Sequence, residues 1–330
     1  MLNDKVILIT GGTGSFGQYF TEYLLNNYKP KKIIIFSRDE YKQFLMKSRF
    51  KEYTDILRFF IGDVRDAGRL MRAFDGVDYV VHAAAMKQVP ACEYNPIEAI
   101  KTNINGATNV IDAALDRNVK KVVALSTDKA VNPINLYGGT KLVSDKLFIS
   151  ANAYTGGIKS SFSVVRYGNV AGSRGSVIPF FKELLRNGTS SLPITDYQMT
   201  RFWIDLNQGV ELVMTALHHS LGGETYISKI PSFKITDLAR AMAPSCEMQE
   251  VGIREGEKMH EIMITADDSA HTFEYDGFFV IYPNMDWWKY EEKYYIPNGK
   301  KVLPGFEYNS GTNTEWLTVA QLTELVARME

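Results

Sequence analysis

The chain has 330 residues, 45% of them hydrophobic, and a formal net charge of -1 at pH 7. This length and hydrophobic content predict a large core in one or two domains. The near-neutral charge balance provides no general basic field, so nucleic acid is excluded as an expected partner.

The cysteines and apolar runs indicate the compartment. Cys92 and Cys246 lie far apart without metal-ligand spacing, and we interpret both as free thiols in a reducing compartment, with no metal site. The first residues lead into a core strand, which leaves no room for a signal peptide. No apolar run approaches the roughly 20 residues needed to span a bilayer. We therefore expect a soluble, cytoplasmic protein with no membrane association.

Apolar runs alternate with helical segments through the first half of the chain. The predicted strands are 6–10, 32–36, 57–61, 79–82, 122–125 and 162–166. Stretches with helical periodicity separate these strands, which is the alternation typical of a Rossmann-type, doubly wound parallel sheet in the α/β class. Ligands of such sheets bind at the carboxyl ends of the strands.

The second half of the chain is less regular. Helices are predicted at 179–186, 206–218 and 235–242, between stretches rich in Tyr, Trp and Pro. We expect residues 1–174 to form mainly a nucleotide-binding domain and residues 175–330 mainly a smaller substrate-binding lobe. A late strand can return to the first domain. The aromatic tail, 285–330, is interpreted as core or subunit-interface packing rather than as disorder.

The first predicted strand runs directly into a glycine-rich turn, and a helix follows. This turn fits the dinucleotide fingerprint in its required context of strand, turn and helix. Its glycines let the backbone approach a pyrophosphate, which the helix N-terminus stabilises. A glycine turn without a ligand is the alternative. The predicted contacts are Gly11, Thr13, Gly14, Ser15, Phe16 and Gly17.

The end of the second strand indicates which dinucleotide binds. In NAD sites an acidic residue usually lies there and holds the ribose diol. Here Ser37 and Arg38 end the strand, and Lys42 follows one turn later. Two cations suit a 2′-phosphate, so we predict NADP. The alternative is that Asp39 binds the diol and the cations are solvated surface charges.

Two further strand ends supply predicted cofactor contacts. After the third strand, the Asp63 carboxylate can accept a hydrogen bond from the adenine amino group, and Val64 can donate its backbone N–H. After the fourth strand come Ala83, Ala84 and Lys87, which complete the predicted set.

The segment after the fifth strand carries the candidate acid–base residues. Tyr137 and Lys141 are four residues apart, so a helix brings the phenol and the ammonium to one face. A nearby cation lowers the pKa of a tyrosine, which lets Tyr137 take a proton from a sugar hydroxyl near neutral pH. Thr127 adds a hydroxyl that can share this proton. Asp128 and Lys129 form either an acid and an amine for a second proton transfer or a surface ion pair.

Together these motifs resemble the extended short-chain dehydrogenase/reductase family. Over nearly the whole chain they are most similar to the soluble nucleotide-sugar 4,6-dehydratases that act on UDP-N-acetylglucosamine, and within them to the C5-inverting branch of pseudaminic acid biosynthesis. A capsule-pathway dehydratase shares many of the motifs. The resembling segments are 61–66, 126–130, 132–138, 165–170, 172–177, 199–203 and 256–261.

The resemblance implies a lyase that uses NADP, loses water from the sugar and forms a homo-oligomer. It implies that Tyr137 removes the 4-hydroxyl proton, that Thr127 orients this hydroxyl, and that Lys141 binds the nicotinamide ribose. Asp128 would protonate the departing 6-hydroxyl. Lys129 replaces the glutamate base of the dTDP-glucose dehydratases, as in the inverting branch. We expect Lys141 and the cofactor charge to keep Lys129 partly neutral.

The resemblance also indicates which residues contact the substrate. Arginine suits a diphosphate because its guanidinium binds phosphate oxygens in pairs. The predicted contacts with the nucleotide sugar are Lys87, Asn169, Val177, Thr195, Arg201, Arg254 and Glu257.

Two other functions are compatible with the motifs. A nucleotide-sugar 4-epimerase uses the same cofactor and tyrosine but needs no Asp–Lys pair. An NADP-binding regulatory protein needs none of the catalytic residues. Fold alone does not separate these functions.

Overall fold

In a computed structural model of the protein, the described residues are 1–156, 160–172, 176–288, 290–292 and 295–329. The strands are β1 Val6–Thr10, β2 Lys32–Ser37, β3 Leu57–Ile61, β4 Tyr79–His82, β5 Lys121–Thr127, β6 Ser161–Tyr167, β7 Ser191–Ile194, β8 Thr200–Phe202, β9 Thr225–Ser228, β10 Ser232–Lys234, β11 Glu247–Glu250, β12 Ile262–Ile264, β13 Thr272–Glu274, β14 Phe278–Ile281, β15 Lys300–Lys301 and β16 Tyr308–Asn309. The helices are α1 Ser15–Asn27, α2 Glu40–Arg49, α3 Ala67–Ala73, α4 Val89–Tyr94, α5 Pro96–Ile100, α6 Gly106–Asp116, α7 Leu136–Ser150, α8 Val177–Arg186, α9 Leu206–His219, α10 Ile235–Met242 and α11 Val319–Ala327.

One large sheet organises the molecule. Its parallel part has the order β3-β2-β1-β4-β5-β6-β9. The central strands are buried on both faces, which is why they are continuous apolar runs rather than alternating ones. The Rossmann-type fold predicted from the sequence is confirmed, and all six predicted strands are present as β1 to β6.

The second half of the chain also contributes to this sheet. β9 pairs in parallel with β6, and β14, β13 and β15 continue the sheet in antiparallel order. Residues 173–175, where the predicted domain boundary falls, lie outside the described part of the chain, as do residues 173–175 of the resembling segment 172–177. The division at 174/175 stays a prediction.

Helices cover both faces of the sheet. On one face Phe20 and Leu24 of α1 and Val213 of α9 belong to one apolar cluster with strand residues. On the other face Val110 of α6 and Phe148 of α7 belong to a second cluster. Each large apolar side chain buried in this way contributes about 1.5–3 kcal/mol to folding, which makes the sheet a rigid frame for its loops.

A smaller lobe has its own apolar cluster, which includes Phe181, Leu192, Trp203, Phe233 and Leu238. Three small sheets pair β8 with β10, β7 with β11, and β12 with β16. β12 packs against the turn that follows β5, so the lobe meets the carboxyl edge of the large sheet. None of the helices in the described part of the chain is long and apolar enough to cross a membrane.

Candidate active site

The glycine turn joins β1 to α1 and requires residues without a side chain. Gly11 has a φ of +64°, and a Cβ on Gly17 would lie 2.4 Å from the carbonyl oxygen of Gly12. No side chain caps the start of α1, where Gly14 is the N-cap residue. The backbone N–H groups of this helix end are therefore available to an anion, and the turn fits a dinucleotide pyrophosphate.

The neighbouring strand ends lie against this turn. The Thr13 hydroxyl donates to the Ser37 hydroxyl at 3.1 Å, which ties the glycine turn to the end of β2. A Cβ on Gly11 would lie 2.8 Å from the carbonyl oxygen of Ala83, so β4 approaches the turn as closely as its backbone allows. The N–H of Ala84 donates to the Thr10 hydroxyl. These predicted cofactor residues therefore form one continuous surface.

The cations predicted to bind the 2′-phosphate form ion pairs with nearby carboxylates, one of which follows β3. Arg38 Nη1 lies 3.6 Å from Asp63 Oδ2, and Arg65 Nη2 lies 2.7 Å from the same oxygen. The Asp39 carboxylate caps α2 by accepting from the Lys42 N–H at 2.9 Å, and it also pairs with Lys42 Nζ at 2.7 Å. Arg38 and Lys42 are respectively 56% and 41% exposed, so both cations are accessible to a bound phosphate.

Two other predicted cofactor residues have contacts within the domain. The Val64 carbonyl accepts from the side-chain amide of Asn109 at 2.9 Å. The Phe16 ring stacks on Phe20 with ring centroids 5.6 Å apart. Ser15 is the first residue of α1. The Phe16 side chain therefore packs on the core, and its backbone lies in the first turn of α1.

The acid–base residues follow β5 directly. Thr127 ends β5, and Asp128 and Lys129 form a single turn of 3₁₀-helix. A Cβ on Gly138 would lie 2.1 Å from the Lys129 carbonyl oxygen, so only a glycine lets α7 approach this turn so closely. This approach brings Tyr137, in the first turn of α7, beside Thr127 and Lys129.

Hydrogen bonds connect the members of this group. The Thr127 hydroxyl donates to Asp128 Oδ1 at 2.8 Å, and Lys129 Nζ donates to the same oxygen at 3.1 Å. Asp128 is 2% exposed. Burial raises the pKa of its carboxyl, and the nearby charge of Glu261 raises it further. Asp128 is therefore a buried acid in contact with an amine, and not part of a surface ion pair.

The prediction that Lys141 helps to keep Lys129 partly neutral is wrong. Burial lowers the pKa of the Lys129 ammonium, but the carboxylates of Asp128 and Glu261 outweigh burial, and its pKa is raised. Lys141 instead donates to the Leu125 carbonyl at 2.8 Å. The error arose because sequence order does not show that a second carboxylate reaches Lys129.

The prediction that the pKa of Tyr137 is lowered is also wrong. Burial raises the pKa of the phenol to about 12, although the charge of Lys129 and the hydrogen bond with Thr127 act in the opposite direction. The cation that lowers the pKa of Tyr137 is therefore Lys129, and not Lys141. Desolvation of the phenol has a larger effect than these two interactions together.

Sequence reasoning missed Glu261. Its Oε1 lies 3.2 Å from Lys129 Nζ and 3.6 Å from Arg201 Nε. Burial raises the pKa of Glu261, but the charges of Lys129 and Arg201 prevail and lower it. The residue ends the resembling segment 256–261, in which Glu257 alone is predicted to contact the substrate. That segment was the signal that could have identified it.

A third buried carboxylate, Asp145, lies near the site. Its Oδ2 accepts from the Ser126 hydroxyl at 2.6 Å and lies 3.9 Å from Arg166 Nη2. Burial raises its pKa, while the charges of Lys141 and Arg166 lower it less strongly. Asp145 follows Lys141 by one helical turn. Its contacts with Ser126 and Arg166 connect α7 to β5 and to β6.

A cleft of about 620 Å³ opens between the carboxyl edge of the sheet and the lobe. Lys129 and Glu261 line it together with all seven residues predicted to contact the nucleotide sugar. Those seven are Lys87, Asn169, Val177, Thr195, Arg201, Arg254 and Glu257. The cleft therefore combines acid–base groups with cations suited to a diphosphate.

Residues 7–283 match the family described as "Polysaccharide biosynthesis protein". The chain belongs to this family, which lies within the extended short-chain dehydrogenases/reductases. The match includes the glycine turn, the segment after β5 and most of the cleft.

Three proteins are similar to this chain over nearly their whole length. A "UDP-N-acetylglucosamine 4,6-dehydratase (inverting)" of Campylobacter jejuni strain 81-176 is 55% identical, and the match covers 100% of this chain and 99% of that protein. A "UDP-glucose 4-epimerase" of Rickettsia felis is 40% identical, with 100% and 97% covered. The X-ray structure of Pen from Bacillus thuringiensis has a TM-score of 0.90 at 39% identity, with 100% and 99% covered.

Proposed function

We propose that this protein is an NADP-dependent UDP-N-acetylglucosamine 4,6-dehydratase that inverts C5. The product would be UDP-2-acetamido-2,6-dideoxy-β-L-arabino-hex-4-ulose, and the reaction class would be that of a hydro-lyase. The observation that carries the proposal is the contact of the buried Asp128 carboxylate with Lys129 beside Tyr137, because an epimerase needs no such pair. The 55% identity with the dehydratase of Campylobacter jejuni supports it.

The glycine turn and the adjoining strand ends are suited to the cofactor. The uncapped start of α1 would hold the pyrophosphate, and Arg38 and Lys42 would hold the 2′-phosphate. Lys141, on the same face of α7 as Tyr137, would hold the nicotinamide ribose. When bound, the nicotinamide ring supplies a hydride acceptor and donor within a single turnover.

Tyr137 would take the proton of the sugar 4-hydroxyl during oxidation at C4, and Thr127 would orient that hydroxyl. The positive charge of Lys129 beside the phenol stabilises the phenolate. The resulting 4-ketone makes the hydrogen at C5 acidic. Oxidation at C4 therefore prepares the substrate for proton removal at its neighbouring carbon.

Asp128 and Lys129 would perform the elimination as a pair. Transfer of one proton from Lys129 Nζ to Asp128 Oδ1, across 3.1 Å, produces a neutral amine and a protonated acid together. The amine would then take the C5 proton, and the acid would give its proton to the departing 6-hydroxyl, which leaves as water. After reduction at C6, C5 takes a proton from solvent on its opposite face, which inverts this centre, and Tyr137 releases the 4-hydroxyl proton to solvent.

The remaining cleft residues would hold the nucleotide. Arg201 and Arg254 are the candidates for the diphosphate, since paired N–H donors match phosphate oxygens. Lys87 and Asn169 would reach the sugar or its phosphates, and Thr195 and Glu257 would reach the uridine. Val177, at the start of α8, would pack against the substrate.

We further propose that the protein acts in the cytoplasm as a homo-oligomer and catalyses the first step of pseudaminic acid biosynthesis, for flagellin or another surface glycan. A capsule-pathway dehydratase/epimerase is the alternative within the same chemistry. The chain is proposed to comprise a nucleotide-binding domain at 1–174 and a substrate-binding lobe at 175–330.

A second candidate function is nucleotide-sugar 4-epimerisation. Relatives named UDP-glucose 4-epimerase are 40% identical over the whole chain, which favours this candidate specifically. An epimerase would use Tyr137 and the same cofactor but would keep the 6-hydroxyl. A regulatory protein that binds NADP without turnover is the non-enzymatic alternative, and the intact Tyr137, Thr127 and Lys141 argue against it.

The test is incubation of the purified protein with UDP-N-acetylglucosamine and NADP in D2O, followed by NMR. We expect a 4-keto-6-deoxy product with deuterium at an inverted C5. A deuterated product with retained C5 would keep the dehydratase and reject inversion. Formation of UDP-N-acetylgalactosamine without loss of the 6-hydroxyl would establish the epimerase. Tight NADP binding without any turnover would favour the regulatory protein.

A further inference from the structure

A buried carboxylate without a role in the proposed mechanism lies between two of its cations. Glu261 is 2% exposed and directly precedes β12. Its Oε1 contacts Lys129 Nζ at 3.2 Å and Arg201 Nε at 3.6 Å. Its Oε2 is buried and has no hydrogen-bond partner among the described residues. A single carboxylate oxygen therefore contacts both the candidate base and a candidate diphosphate ligand.

The backbone of Glu261 is fixed from the lobe side. Its N–H donates to the Ser310 hydroxyl at 2.9 Å, and its carbonyl accepts from the Ser310 N–H at 2.8 Å. The adjoining strand β12 pairs with β16 and packs against the turn that carries Lys129. Glu261 thus reaches the base from the lobe, whereas Asp128 lies in the same turn as the base.

Lys129 needs this support because a lysine ammonium is carried on a flexible four-carbon stem. Asp128 contacts Nζ at 3.1 Å from within the turn, and Glu261 contacts it at 3.2 Å from the lobe. Two contacts of similar length from different elements restrict the position of Nζ more than either contact alone. Both cations that Glu261 contacts, Lys129 and Arg201, line the cleft.

We propose that Glu261 is a positioning residue for the elimination step, holding the Lys129 amine toward C5 of the sugar and the Arg201 guanidinium toward the diphosphate. This inference rests on the proposed function. The proton from C5 goes to Nζ, and Glu261 balances the charge of the resulting ammonium without taking a proton from the substrate. The base and the diphosphate ligand are then aligned by the same carboxylate.

Removal of the Glu261 charge has a predictable effect on Lys129. The charged and titratable groups that interact with Lys129 are Asp128, Glu261, Arg201, Lys87, Lys258 and Tyr137. Without the carboxylate of Glu261 the ammonium is less stabilised, so the amine loses its proton at lower pH. The Asp128–Lys129 pair shares one proton, so activity falls in acid when the pair gains a second proton, on Asp128. The charge of Glu261 raises the pKa of Asp128, so removal of that charge must move this acid limb to lower pH.

The test compares Glu261→Gln with wild type in the dehydration of UDP-N-acetylglucosamine. Glutamine keeps the shape and removes the charge. We expect kcat at the pH optimum to fall about tenfold or more, since small displacements of a catalytic group cost this much. We expect KM to rise through Arg201 and the acid limb to move down by about one pH unit. The product should remain the same.

Glu224→Gln is the matched control, because Glu224 is also buried, at 1% exposure, and accepts from the N–H groups of Leu221 and Gly222 away from the cleft. It should lower the unfolding midpoint without moving the acid limb. Glu261→Asp keeps the charge on a shorter side chain, so it should keep the acid limb while kcat falls.

The outcomes separate the inference from the function on which it rests. Wild type that forms no 6-deoxy product defeats the proposed function. Wild type that dehydrates, together with a folded Glu261→Gln of unchanged kcat and acid limb, overturns the inference alone. If Glu261→Gln does not fold, Glu261→Asp decides, and an unchanged kcat in that variant overturns the inference.

Discussion

At the scale of single residues, Lys129 is the most connected group of the site. It lies between two buried carboxylates, and its charge also acts on the phenol of Tyr137. One side chain is therefore proposed to serve two steps of the reaction. Its charge would favour the phenolate during oxidation at C4, and its amine would take the proton at C5 during elimination.

Lys129→Ala should abolish the 6-deoxy product but still allow cofactor reduction in a single turnover. Loss of the cation raises the pKa of Tyr137, so this reduction should be slower than in wild type at neutral pH and should recover at higher pH. The near-ultraviolet absorbance of reduced cofactor measures it. Lys47→Ala, at an exposed lysine of α2, is the control and should behave as wild type. Full dehydration by Lys129→Ala would remove Lys129 from the mechanism.

Arg38→Ala should weaken NADP binding by about tenfold, the value of one charge-assisted contact with a phosphate. NAD has no 2′-phosphate, so its affinity in the same variant is the internal control and should stay unchanged. Isothermal titration with both dinucleotides measures the effect. Equal affinities of wild type for NAD and NADP, or an unchanged affinity of Arg38→Ala for NADP, would contradict the assignment of NADP.

At the scale of elements, two close backbone approaches build the site. Gly17 lets α1 pack on the turn after β1, and Gly138 lets α7 pack on the turn after β5. In each case a helix meets the carboxyl end of a parallel strand at a distance that excludes a side chain. The candidate cofactor and acid–base groups are placed by these two contacts.

Gly17→Ala tests the first of these contacts. The new Cβ would lie 2.4 Å from the Gly12 carbonyl oxygen, so the turn must shift. We expect a loss of about 1–3 kcal/mol in the free energy of unfolding and a large loss of dinucleotide affinity. Gly68→Ala in α3 is the control, because its Cβ would meet only Asp66 Oδ1, at 3.5 Å. The control should be neutral or stabilising by about 0.5–1 kcal/mol, as alanine favours helices. Unchanged dinucleotide binding by Gly17→Ala would contradict the proposal that the glycine turn holds the pyrophosphate.

At the scale of the whole molecule, the two halves of the chain share one core. Phe20 and Leu24 belong to the same apolar cluster as Tyr226 and Phe279, which lie on strands of the second half. β9 also pairs with β6, which is buried along its whole length. We therefore expect the large sheet to unfold as one cooperative unit with the segments that follow residue 175.

Phe20→Ala tests this cooperativity. The substitution should cost about 3–5 kcal/mol, because it leaves a cavity in the core. All four tryptophans follow residue 175, so their fluorescence reports the second half alone. We expect the denaturation midpoints from fluorescence and from far-ultraviolet circular dichroism to fall together. The control Phe44→Ala, at a side chain that is 63% exposed, should change little. A fluorescence midpoint that stays at the wild-type value would show that the halves unfold separately.

Local patterns were enough to predict the parallel sheet, the glycine turn and the segment after β5, because neighbouring residues determine each of them. The contact between Lys129 and Glu261 joins residues 132 positions apart, and no local spacing encodes it. The pKa of Tyr137 depends on the desolvation of the phenol in the folded chain, which motifs do not report. The two wrong predictions, the pKa values of Lys129 and Tyr137, therefore concern neighbouring side chains whose surroundings depend on the complete fold.

The outer strand β15 has a consequence for the behaviour of the protein in solution. It consists only of Lys300 and Lys301, both exposed, and it ends the large sheet beyond β13. An edge strand exposes unpaired backbone groups on which another chain can add a strand, and short length and lysine side chains both oppose this. Two adjacent charges would have to be brought against a second copy before its backbone could pair. The shortest strand of the sheet thus protects this edge from aggregation.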